Sequence, residues 1–285
     1  MTPSHVFADS IAKSFGQHPA IRDVTVLAQG GITAVLGPNG CGKSTLLRCI
    51  ATVMMPDSGS VTIDGLDPRR ESERIEARRR LGYAPQEAGF DPRLRVLDAV
   101  DYVAVLKGLD DTRRRRRSVF EALDRVGLAE RTGARVGELS AGMRRRLVLA
   151  QALLGAPTLV VFDEPGAGLD PDERLRLREI LTERRRTATI LLATHLTDEA
   201  AGADRVIVLG AGRVQFDGTP SRLAAHADGR VWHQSDFPPP GVRASWQQAG
   251  GGHRCLGHPP AGAVLLEPTL EEGYLLVQDR VAASS

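Results

Sequence analysis

The sequence predicts an α/β fold: a mostly parallel sheet covered by helices, with antiparallel N-terminal strands, an inserted helical subdomain and a small C-terminal α+β appendage. Three observations predict it. In GITAVLGPNGCGKST an apolar run ends in glycines and passes into helical spacing, a strand–loop–helix unit. The runs TLVVFDEP and TATILLAT are apolar throughout and flank the helix-patterned PDERLRLREILTERRR, so β–α–β alternation implies parallel strands. Between about residues 87 and 151 that alternation stops and the periodicity is helical.

Taken in order, HVFADSIAKSFG and AIRDVTVLAQ have the pattern of antiparallel strands. Residues 31–40 form a buried strand running into a loop. KSTLLRCIATVM then predicts a helix with Leu46, Leu47, Ile50 and Met54 on one face, ended by Pro56. In the helical insert, VLDAVDYVAVLKG and RRSVFEALDRVG each close on a glycine, Gly108 and Gly127. LSAGMRRR opens a further helix with Ser140 as N-cap, and the small Ala141 and Gly142 leave N–H groups open at its positive end. Residues 158–165, 187–194 and 204–210 are the remaining strands. From about Ala224 the composition shifts: DFPPPG and AGGGHR mark loops, and AVLLEPTLEEGYLLV predicts a short strand and a helix capped by Thr269 with Glu272 three residues on. The expected units are residues 1–223, with the helical subdomain at about 87–151, and the appendage at 224–285.

Composition bounds the function. A chain of 285 residues with 42% hydrophobic side chains can bury a substantial core, and a net charge of +2 is too small to argue for a nucleic-acid partner. Arginine far outnumbers lysine (Lys13, Lys43 and Lys107 alone), which reads as coding bias. Cys41, Cys49 and Cys255 lie at no metal-like or disulfide-like spacing, as suits a reducing cytosol. The start MTPSHVFADS has no signal-peptide core, and no apolar run approaches the roughly 18 residues of a membrane span, so a membrane role requires another chain. Arg113 to Arg117 are expected to be a solvated helix start rather than a lipid contact. HRCLGH fits no common zinc pattern and is expected to be a loop or strand edge.

Chemistry concentrates in GPNGCGKST: Gly37, Pro38, Asn39, Gly40, Cys41, Gly42, Lys43, Ser44 and Thr45. After a strand and before a helix, this spacing is that of a phosphate-binding loop. Backbone N–H groups wrap β- and γ-phosphates, Lys43 adds a point charge, and the Ser44 hydroxyl can ligate Mg²⁺. Asp163 ends a buried strand, where it can hold Mg²⁺ through water. Glu164 comes next and points the other way, placed to orient or deprotonate an attacking water. An acidic pair after a strand is otherwise a helix N-cap; beside a phosphate loop it predicts an ATPase with a P-loop NTPase core. Cys41 contributes backbone, and its thiol, at a helix N-terminus, is expected to be partly activated as thiolate.

Over about residues 4–220 these motifs, in their order, resemble the ATP-binding cassette (ABC) ATPases. The resemblance implies that Phe15, in KSFG, stacks on adenine, and that Gln86, in GYAPQE, senses Mg²⁺ beside the catalytic groups and faces the transporter's membrane part. LSAGM is similar to the family signature, and GLD supplies Asp170, which crosses to the partner subunit. His195, in ATHL, is the switch histidine at the γ-phosphate. The resemblance further implies that Ser140 and Gly142 of one subunit cap the nucleotide on Lys43 of another, so the protein is a homodimer when ATP is bound. Ala141 replaces the family's usual first glycine and Met143 its usual glutamine; because Ser140 and Gly142 remain, slower turnover is the most these changes are expected to cause. LEPTLEEGYLLV resembles the ending common in ATPases of bacterial export systems for drugs, antibiotics, lipids and polysaccharides. Such ATPases pair with a separate membrane-spanning permease subunit, placing the chain at the cytoplasmic face of the membrane. An importer subunit is the alternative, and a cassette acting on nucleic acid or ribosomes a third; no nucleic-acid partner is expected.

Overall fold

The apolar runs assemble into one six-stranded sheet in the computed structural model, which describes residues 2–87 and 89–283. The chain begins with β1 (His5–Phe15), β2 (His18–Gln29), β3 (Gly31–Leu36), α1 (Lys43–Ile50), β4 (Ser58–Ile63), α2 (Glu71–Arg80) and β5 (Leu81–Ala84). Next come α3 (Val96–Leu106), α4 (Thr112–Arg125), α5 (Ala141–Leu153), β6 (Leu159–Asp163), α6 (Pro171–Arg184), β7 (Thr189–Thr194), α7 (Thr197–Ala201), β8 (Arg205–Gly210) and β9 (Arg213–Gly218). The C-terminal part holds α8 (Pro220–Ala224), β10 (Val231–Gln234), β11 (Ala244–Gln247), β12 (His253–Leu256), β13 (Val264–Leu265) and α9 (Leu270–Ala283). The central sheet has the order β5-β6-β7-β3-β8-β9, parallel except for β9. β2-β1-β4 form an antiparallel sheet, and β11-β12-β10-β13 a second one.

The central strands lack polar alternation because both faces are covered. Ile32, Ala34 and Leu36 of β3 join Val160, Phe162, Ile190 and Leu192 in one buried cluster, filled from the helical side by residues such as Val100, Leu123 and Leu147. Val35, Val161, Leu191 and Ala193 face the opposite way, against Leu46, Leu47 and Ile50 of α1 and Ile11, Ile21 and Val24 of the N-terminal sheet. The tail reaches the first of these clusters: Leu270, Tyr274 and Val277 of α9 lie in it.

Two elements depart from the sequence reading. α1 stops at Ile50, one turn before Met54. Thr52 adopts φ 57, Val53 N–H donates to Arg48 O (2.9 Å) and Thr52 N–H to Cys49 O (3.1 Å), a left-handed Schellman end. Threonine is an unfavourable residue there, and Arg78 holds it by donating to Thr52 Oγ1 (2.9 Å) and Thr52 O (2.7 Å). HRCL is neither loop nor edge but β12, paired on both sides, because Cys255 and Leu256 are buried on opposite faces while Arg254 pairs with Glu272 of α9. The basic run does open α4, and Asp111 caps it, accepting from Arg114 N–H at 2.7 Å. Arg113, Arg114, Arg116 and Arg117 are exposed, whereas Arg115 donates to Asp101 of α3 (2.9 Å). The cap of α9 forms as the sequence predicts, with Glu272 Oε2 accepting from Thr269 N–H (2.7 Å) and Oγ1 (3.0 Å).

Candidate active site

Register brings three strand ends level. Leu36 pairs with Thr194 and Asp163 with Ala193, so β3, β7 and β6 deliver the segments that follow them to one edge of the sheet. The carboxyl edge is where open α/β sheets bind ligands.

The loop after β3 is built by close backbone approach. A Cβ on Gly37 would lie 2.4 Å from Leu209 O and 2.6 Å from Cys41 Sγ. Gly42 adopts φ +105, and its Cβ would lie 2.4 Å from Ala20 O. Gly42 caps α1 without a side chain, so the first-turn N–H groups keep their capacity for an anion. Pro38, Asn39 and Gly40 are exposed, and Ser44 and Thr45 begin the helix half-buried. Lys43 is buried and curls back over the loop, its ammonium donating to Gly37 O (2.7 Å) and Pro38 O (3.0 Å).

That ammonium lies 3.3 Å from Glu164 Oε1, and Glu164 Oε2 lies 2.5 Å from His195 Nδ1, so the three side chains form one network. Glu164 follows β6 at φ 53, a left-handed conformation uncommon outside glycine, and its N–H donates to Ala193 O (3.0 Å). The two neighbouring carboxylates therefore serve different partners. Asp163 turns to α1, where its Oδ1 accepts from Ser44 Oγ at 2.8 Å, while its Oδ2 is buried without a hydrogen-bond partner among the described residues. Burial pushes the Asp163 carboxyl up, against the pull of the Ser44 hydrogen bond. An orphaned carboxylate oxygen beside a hydroxyl is a hard-oxygen pair that fits Mg²⁺, which takes one or two protein oxygens and keeps water and phosphate for the rest.

The other expected residues stand outside this network. Phe15 ends β1 with half its surface exposed. Gln86 is exposed, and its backbone carbonyl accepts from Arg145. Ser140 is exposed and caps α5, accepting from Met143 N–H at 3.1 Å. A Cβ on Gly142 would lie 2.7 Å from Glu173 Oε1, the movable end of a side chain on α6 of the same chain. Asp170 caps α6 in a reciprocal box, accepting from Glu173 N–H at 2.8 Å. The expectation of an activated Cys41 is overturned. Its thiol is buried under the loop, and desolvation pushes its pKa up despite the nearby Lys43. Sequence reasoning also passes over Arg145, one of three consecutive arginines; its side chain enters the site from α5 and meets backbone, not carboxylate.

The family model described as ABC transporter matches residues 23–167. The chain belongs to the ABC transporter family. As an ABC ATPase, it is 38% identical over 219 residues to the Nod factor export ATP-binding protein I of Rhizobium sp. (strain N33), covering 75% of this chain and 70% of that one. It is 36% identical over 223 residues to the sulfate/thiosulfate import ATP-binding protein CysA 2 of Chromobacterium violaceum, covering 77% of this chain but spanning only 60% of that relative. Among solved structures, a dimeric ATP-binding cassette in a post-hydrolysis state, bound to ADP and Pi, superposes with a TM-score of 0.69 at 25% identity, over 75% of this chain and 98% of that one. Among the described residues, no helix of this ABC ATPase is long and apolar enough to cross a membrane.

Proposed function

We propose that this ABC ATPase powers a membrane exporter, working as a head-to-tail homodimer on a separate membrane-spanning permease subunit at the cytoplasmic face. The observation that carries its chemistry is the Lys43–Glu164–His195 network beside the Ser44–Asp163 pair. Backbone N–H groups of residues 37–45 hold the phosphates, and Lys43 moves from the Gly37 and Pro38 carbonyls to phosphate charge. Ser44 and Asp163 would hold Mg²⁺, which would supply charge neutralisation at the phosphates. Glu164 takes the proton of the attacking water. His195 fixes that carboxylate through Nδ1 and leaves its second ring nitrogen for the γ-phosphate. Phe15 supplies an exposed ring for adenine. Ser140, Gly142 and Asp170 spend their polar capacity within their own chain only at helix caps, which leaves α5 free to face a partner's nucleotide.

Homodimerisation is supported by the dimeric, ADP-bound neighbour. Export is supported by the PTLEEGYLLV tail and by the Nod factor export relative. The import relative, nearly as similar, favours a second reading as an importer subunit. Two experiments test the proposal. Light scattering of Glu164→Gln with ATP should show a doubled mass that Ser140→Arg abolishes; a normal dimer in the double variant would refute the head-to-tail arrangement. Deleting the gene should raise cellular retention of an amphipathic dye or antibiotic, whereas loss of uptake of a required solute would refute export in favour of import.

A further inference from the structure

The side chain of Arg145 has five N–H bonds, and it meets five backbone carbonyls. Nε donates to Pro165 O (3.3 Å), Nη1 to Pro85 O (3.3 Å) and Gln86 O, and Nη2 to Asp163 O (3.1 Å) and Glu164 O. Two of these carbonyls belong to the segment carrying Gln86 and three to the turn carrying Asp163 and Glu164. The turn needs such a partner. At φ 53 Glu164 turns the chain away after its N–H bond to Ala193, and the carbonyls of residues 163–165 all reach the Arg145 guanidinium. A planar fork with five donors satisfies that convergence, whereas an ammonium with three donors cannot.

We propose that Arg145 is a positioning residue for hydrolysis: its fork binds the backbone of Glu164 and of Gln86 to the helix that begins at Ser140, so that the three move as one unit. The proposal rests on Glu164 as the group that activates water. Arg145 itself has no contact with Lys43, Ser44 or His195 among its hydrogen bonds, so its effect on turnover runs through the Glu164 backbone. The geometry of the fork, not its charge, is what the site requires.

The test compares Arg145→Lys, which keeps the charge, with Arg145→Gln, which keeps two donors. Steady-state kcat and KM, MgATP affinity by fluorescent nucleotide, and thermal unfolding are read in parallel with Glu164→Gln. We expect kcat to fall at least tenfold in both Arg145 variants, with KM and nucleotide affinity within about twofold of wild type. In single-turnover assays, adding Arg145→Lys to Glu164→Gln should cost nothing further, because a misplaced amide and a placed one are equally poor bases. Wild-type kcat in Arg145→Lys would show that charge alone suffices and overturn the proposal. Parallel loss of kcat, nucleotide affinity and melting temperature would also overturn it, as the mark of a mere structural prop. Multiplicative losses in the double variant would refute action through Glu164. Retained turnover in Glu164→Gln itself would instead refute the assignment of that residue.

Discussion

Replacing Glu164 by glutamine should slow hydrolysis and tighten ATP binding at once. The isostere keeps shape and the Ala193 contact of its N–H but cannot take a proton, and loss of a general base costs 10²–10⁴-fold in turnover. The second effect follows from Lys43. Two unit charges 3.3 Å apart attract by about 5 kcal/mol at an effective dielectric near 20. Any phosphate that draws the Lys43 ammonium must part it from Glu164. In the variant the amide oxygen still accepts from the ammonium, and the neutral amide avoids the carboxylate's desolvation cost, which offsets most of the lost attraction and leaves roughly 1 kcal/mol less competition. That corresponds to about fivefold tighter ATP binding, read by fluorescent-nucleotide titration beside a phosphate-release assay. Turnover above a tenth of wild type would refute Glu164 as the base. Weaker ATP binding with turnover lost would show that the Lys43–Glu164 pair does not compete with nucleotide.

Ser44→Ala removes one hard oxygen and the hydroxyl that donates to Asp163 Oδ1, so half-activation should need about tenfold more Mg²⁺ in a titration of ATPase rate; an unchanged Mg²⁺ requirement would refute the donor pair. Cys41, pushed above its ordinary pKa by burial, should react slowly with iodoacetamide near neutral pH and faster as pH rises past 9, followed by mass spectrometry; fast neutral labelling would refute the buried thiol. Arg254→Ala strands Glu272, whose side chain is 2% exposed, and should destabilise the C-terminal part by about 3–5 kcal/mol in hydrogen exchange. Burial alone would raise the Glu272 pKa, but bonds from Arg254 and Thr269 hold it below 4.5. The unfolded chain therefore binds that proton more readily, and the stabilisation is full above about pH 4.5 and lost as pH falls through the folded value. Arg254→Ala should weaken that acid-side loss, and an unchanged acid transition would refute the linkage.

The phosphate loop was legible because its parts are contiguous: Gly37, Gly42, Lys43 and Ser44 fall within eight residues, and local geometry demands each. Asp163, Glu164 and His195 were legible as polar residues ending apolar strands, and parallel register then sets them level. The left-handed turn at Glu164 was not, because nothing in DEP announces a positive φ. Arg145 was hidden for a different reason. Its partners are carbonyls, which every residue carries, brought to it from about 20 and 60 positions away by topology alone. Cys41 misled because a helix N-terminus is visible in sequence, while the walls that dry the thiol are not. In the tail, β12 escaped notice because Arg254 breaks its apolar pattern, and the carboxylate that neutralises it lies 18 residues further on.

The burial of Leu270, Tyr274 and Val277 in the cluster that also holds Leu36 has a consequence for the order of manufacture. A ribosome adding about 5–20 residues per second needs roughly ten to fifty seconds to pass from the first of these residues to the last. During that interval the central strands can pair, but the sides of α7, β8 and β9 where α9 will lie stay open to solvent. The nascent cassette must therefore wait, with greasy surface showing, for α9 to close a core whose strands emerged long before. Chaperone capture should concentrate in that window, and stalling synthesis just before Leu270 should leave the chain protease-sensitive, where stalling well after α9 has cleared the exit tunnel should not.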